Sequence, residues 1–141
     1  MSATQLAALA RTSEPHVMLR RFLALDAAVT GANGLAYLAV SGPLGRLLGV
    51  DSGLLLVLGA VLTVYGVAVG LLASRPRPAA LPVRAVVETN LAWTVLSLLA
   101  PLLWLSPTTA GAVWTVLQAL VVAGFAAVQW AALKVRQGDS A

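Results

Sequence analysis

Four apolar runs, at residues 22–40, 53–73, 85–105 and 109–131, constrain this chain more than anything else in it. Each is about 20 residues long, which is what an α-helix needs to cross the roughly 30 Å hydrocarbon core of a bilayer. Backbone polar groups at that depth have to be satisfied within their own segment, so the runs read as transmembrane helices. They take up most of the 141 residues. What remains is an N-terminal segment (1–20), short connections and a tail (132–141), too little for a separate soluble domain. The expected fold is all-α, a single polytopic transmembrane four-helix bundle built from two helical hairpins. The charged fraction of 10% agrees, since soluble domains carry about 25%.

The basic residues are unevenly placed. Arg11, Arg20 and Arg21 precede the first run, Arg75, Arg77 and Arg84 lie between the second and third, and Lys134 and Arg136 follow the fourth. Only Arg46 lies in the connection between the first and second runs. The positive-inside rule then predicts a multi-pass protein of the cell (plasma) membrane with both termini and the middle loop cytoplasmic. The basic excess is therefore a topology signal with some attraction to anionic headgroups, and not a nucleic-acid footprint. The expected partner is the lipid bilayer, with a homo-oligomer or a larger membrane complex left open and the ligand unknown.

The chain has no cysteine, which excludes disulfide, thiol-redox and iron–sulfur chemistry. Its single histidine, His16, precedes the runs, so a bis-histidine haem within the bilayer is excluded and no metal site or cofactor is expected. Intramembrane proteolysis would need a histidine or a second aspartate within a span, and neither is present. No catalytic residue is assigned.

Each run carries a small or polar stripe. Asp26, Thr30, Asn33 and Tyr37 recur at helical spacing in the first, and Gly59, Thr63, Gly66 and Gly70 in the second. Asn90, Thr94 and Ser97 mark the third, and Gly111, Thr115 and Gln118 the fourth, with Gln129 further along. Small residues let membrane helices approach closely, and hydroxyls and amides bond across them at roughly 0.6–2 kcal/mol each, so these stripes read first as packing seams. The acids differ. Glu88 has Arg84 four residues before it, one helical turn away, and is expected to form an interfacial ion pair. Asp26 has no basic residue three or four positions away, although a carboxyl group at membrane depth is costly. It needs Arg75, Arg77 or Arg84 across the bundle, a hydrogen bond to Asn90 or Gln129, or a proton.

Residues 2–12 are compatible with a short surface helix, and Ser13 with an N-cap ahead of Pro15. In the connection after the first run, Leu44, Leu47 and Leu48 form one helical turn at the interface. Pro101 should kink the third helix, and Ser106-Pro107 should start the fourth as N-cap and first residue. Trp104 and Trp114 fall at one headgroup level and Trp130 at the other. Shifting the chain by 64 residues lays Arg20, Asp26, Thr30 and Asn33 over Arg84, Asn90, Thr94 and Ser97, a weak sign of a parallel repeat. Gly59 and Thr63 resemble Gly111 and Thr115 at another offset.

The segments LDAAVTGANGLAYLA (25–39) and VWTVLQALVVAGFAAVQ (113–129) resemble those of small four-span integral membrane proteins of high-GC bacteria, similar in general shape to DoxX-like four-helix proteins. That resemblance implies a membrane bundle and carries over no activity or site residue. In size and in having an acid in its first span, the chain is also similar to small multidrug-resistance transporters. It departs from them in the placement of Asp26 and in the strength of its charge bias. Three readings follow: a non-enzymatic accessory or lipid- or partner-binding module, an oligomeric transporter with Asp26 as protonatable group, and a membrane enzyme using Asp26 and Glu88. In the second, Asn33, Asn90, Thr94 and Gln118 would line the cavity.

Overall fold

A computed structural model describes residues 2–3, 15–103 and 105–139. The expected surface helix over 2–12, the Ser13 cap and the headgroup position of Trp104 fall mainly or wholly outside these. The described chain forms helices α1 (Pro15–Ala39), α2 (Ser41–Leu48), α3 (Ser52–Ala73), α4 (Ala80–Leu103) and α5 (Thr109–Asp139), with no strand among the described residues. All but α2 are long and apolar enough to cross a membrane.

The long helices stand at the corners of a square. α1 packs most closely on α3, α4 packs on α5, and α1 also lies along α5. The fourth side, α3 against α4, barely touches. Glycine sets the closest side. A Cβ at Gly34 would lie 2.7 Å from the Thr63 nitrogen and 2.9 Å from the Gly59 carbonyl oxygen, and one at Gly66 would lie 3.0 Å from the Gly31 Cα. The glycine stripe of α3 therefore packs into Gly31 and Gly34 of α1, backbone against backbone.

The caps differ from those the sequence suggests. α5 begins at Thr109, and its N-cap is Thr108, not Ser106. The Thr108 hydroxyl accepts from the Gly111 N–H at 3.1 Å and donates to the Leu47 carbonyl at 2.6 Å, while the Thr108 N–H reaches the Leu48 carbonyl at 3.1 Å. A single residue thus caps the start of α5 and takes up free carbonyls at the end of α2. Ser106 lies too early to do both. Pro101 falls in the last turn of α4, so it marks the helix end and leaves little helix to kink. The Leu44–Leu48 turn extends to two turns as α2, closed by Gly49 at φ 71°. At the start of α3, the Asp51 carboxyl accepts from the Leu54 N–H at 3.1 Å.

Packing is tightest at the arginine-rich end. Leu19, Leu23, Val69, Ala73, Val83, Val86, Ala132 and Leu133 form one buried cluster there. Two arginines of this end bond to backbone, Arg20 Nε to the Ala73 carbonyl at 3.0 Å and Arg136 to the carbonyl of buried Pro78. Trp130 is half-exposed beside Lys134, whose ammonium sits 4.5 Å from its ring.

Candidate functional site

Above the tight cluster lies a layer of polar side chains contributed by all four long helices. Asp26, on α1, is 1% exposed and accepts three hydrogen bonds. Thr30, one turn on, donates to Oδ1 at 3.0 Å. Asn90 from α4 and Gln129 from α5 each donate to Oδ2 at 2.8 Å. The Asn90 amide also reaches Gln129 Oε1 at 3.2 Å, and the Tyr65 hydroxyl of α3 donates to Asn90 Oδ1 at 3.2 Å. No buried side-chain nitrogen or oxygen among the described residues lacks a partner. A closed network of this kind is how a bundle tolerates polar groups at membrane depth.

The sequence left Asp26 a choice of partners, and the structure gives it amides. Arg75, Arg77 and Arg84 are all exposed, and none is bonded to Asp26. Arg84 and Glu88 are exposed too and form no ion pair, contrary to expectation. Each side chain stands exposed on α4 with no ion-pair partner among the described residues. Asp26 and Glu88 therefore share no hydrogen-bonded site. Thr94 donates to the Asn90 carbonyl at 2.9 Å within α4, and Gln118 accepts from Trp93 Nε1 at 2.8 Å. Thr63 and Thr115 bond back to the carbonyls of Gly59 and Gly111 at 2.7 and 2.8 Å.

Beyond the polar layer two cavities follow in tandem. The central one, of about 220 Å³, is walled by all four long helices, with Thr30, Asn33, Tyr65 and Asn90 among apolar residues. The distal one, of about 360 Å³, reaches towards α2 and lies between the α3 residues Leu54, Leu55 and Leu58 and the α4 residues Leu96 and Ala100. It thus occupies the loosely packed side of the square. Tyr37, Trp93, Trp114 and Gln118 line both cavities and form the partition between them. Trp114 Nε1 donates to the Tyr37 hydroxyl at 2.8 Å, which pairs with the Trp93–Gln118 bond. Trp114 is thus turned into the bundle, where its N–H finds a partner.

Four contributors are not evident from the stripes. Tyr65 lies off the glycine stripe of α3, Trp93 precedes the Thr94 stripe, and Gly31 and Gly34 matter only through the helix they face. One signal for Tyr65 was available. It precedes Gln129 by the same spacing that separates Asp26 from Asn90, so the polar layer consists of two pairs at one offset.

Fold and site together define a multi-pass α-helical membrane protein whose bundle has an internally hydrogen-bonded polar layer at one depth and tandem cavities beyond it. Comparison with protein-family models, characterised proteins and solved structures gave no significant match.

Proposed function

We propose that the chain is a non-enzymatic module of the cell membrane that binds an apolar ligand taken from the bilayer, with both termini and the 74–79 loop on the cytoplasmic side. The observation that carries this reading is the pair of tandem cavities, about 220 and 360 Å³, whose walls are mainly apolar surface with a few placed polar groups. Ligand pockets typically run to about 300–1,000 Å³, are mainly apolar and carry a few placed polar groups. Asp26 acts in this reading as an anchor. Its oxygens are taken up by Thr30, Asn90 and Gln129, and it is absent from the walls of both cavities.

Mass spectrometry of lipids that co-purify with the protein tests the proposal. A retained apolar species, at near-stoichiometric amount and depleted by a Val122→Trp substitution that fills the central cavity, is the expected result. An unchanged lipid complement in a folded Val122→Trp variant would sink it.

A further inference from the structure

Among the described residues, one amide in the cavity walls has no hydrogen-bond partner, and the hydroxyls of Thr89 in the central cavity and Ser97 in the distal one also make no hydrogen bond. Thr30, Tyr37, Tyr65, Asn90 and Gln118 all make side-chain hydrogen bonds. The amide of Asn33, half-buried in the wall of the central cavity, makes none among the described residues. An amide in apolar surroundings is costly unless a partner satisfies it. A molecule filling the cavity can supply that partner. No residue lining either cavity is charged, so nothing there would compensate an ionic headgroup. The cavity continues past the Trp93–Gln118 and Trp114–Tyr37 pairs into a wholly uncharged second chamber. A 150 Å³ apolar cavity accommodates a benzene ring, so each chamber holds a length of hydrocarbon.

We infer that the ligand is an uncharged single-chain amphiphile, a long-chain or isoprenoid alcohol, with its hydroxyl on Asn33 and its chain passing the aromatic partition into the distal cavity. This rests on the ligand-binding reading above and adds the chemistry of the head and the residue that reads it. The hydroxyl is both donor and acceptor, as the amide is, so one group answers either face of Asn33.

Intrinsic fluorescence tests this directly. A Trp104→Phe/Trp130→Phe background leaves Trp93 and Trp114, which line the cavities, as the remaining indoles of the four in the chain. The probes are a mid-chain-brominated long-chain alcohol, the bromoalkane of equal length and the corresponding carboxylate at alkaline pH. The alcohol should quench saturably with the lowest Kd, and Asn33→Leu should raise that Kd roughly tenfold while leaving the bromoalkane's unchanged or lower. An alcohol Kd unaffected by Asn33→Leu, or a carboxylate binding as tightly as the alcohol, overturns the inference while the ligand-binding reading stands. If no chain quenches, both fall. Should Asn33→Leu not fold, the alcohol–bromoalkane difference in the otherwise unaltered background decides, and equal Kd values overturn the assignment.

Discussion

Asp26 and Asn90 stand 64 positions apart on helices that share no backbone contact, yet a 2.8 Å hydrogen bond joins them across the centre of the bundle. The bond spans a diagonal of the square, and Gln129 and Tyr65 fill in its edges. Helix association in lipid has no hydrophobic driving force between apolar faces, so a diagonal polar tie fixes which helices face one another.

Substitutions at Asp26 should separate shape from hydrogen bonding. Asp26→Leu leaves the Asn90 and Gln129 amides without their acceptor and should cost about 2–4 kcal/mol, at about 1–3 per stranded group less relaxation. Asp26→Asn keeps one oxygen for the two amides and turns its own amide on Thr30, whose hydroxyl can accept. It should cost about 1 kcal/mol or less. Thermal melts in detergent would show it, and equal losses in the two variants would contradict the network.

Tyr65→Phe removes one hydroxyl that bonds Asn90 Oδ1 and the Val86 carbonyl, 3.2 and 3.3 Å away. A loss of about 1 kcal/mol is expected. Combined with Asn90→Leu the loss should be less than additive by about 0.5–1.5 kcal/mol, because the two share one bond. Strict additivity would mean that the two side chains act independently.

The α1–α3 seam gives a contrast between two glycines one turn apart. Gly34→Ala drives a methyl into the backbone of Thr63 and Gly59 and should destabilise by about 1–3 kcal/mol or more. Gly31→Ala meets nothing within 4 Å and should be neutral or slightly stabilising. A reversed order would mean that α1 is rotated about its axis.

Arg84→Gln and Glu88→Gln, singly or together, should leave the melting temperature unchanged within error, since both side chains are exposed and form no pair. A drop in both single variants that is not additive in the double would reveal a pair.

These contrasts show what was legible in the sequence. Periodicity assigns a residue to a face and length assigns it to a depth, so the four spans, the α3 glycine seam and the meeting of Asp26 with Asn90 and Gln129 all fall within reach. Periodicity does not say which neighbour a face meets. The basic residues were therefore credible partners for Asp26 until the structure placed them at the exposed end. Trp114 was assigned by depth alone, while its inward rotation depends on Tyr37 presenting a hydroxyl 77 residues away. Cavities are the least legible feature. They arise from small differences in the spacing of four helices, which no single helix records.

The pinning of the bundle has a mechanical consequence. At one end the two hairpins share the buried cluster of Leu19, Leu23, Val83 and Leu133, and at the other Thr108 ties α5 to α2. Between these two hoops the α3 and α4 staves are held by little more than the Tyr65 hydroxyl. They can bow outwards without either hoop slipping. Separating the two helices along that side would thus carry a free-energy cost largely distinct from that of unfolding.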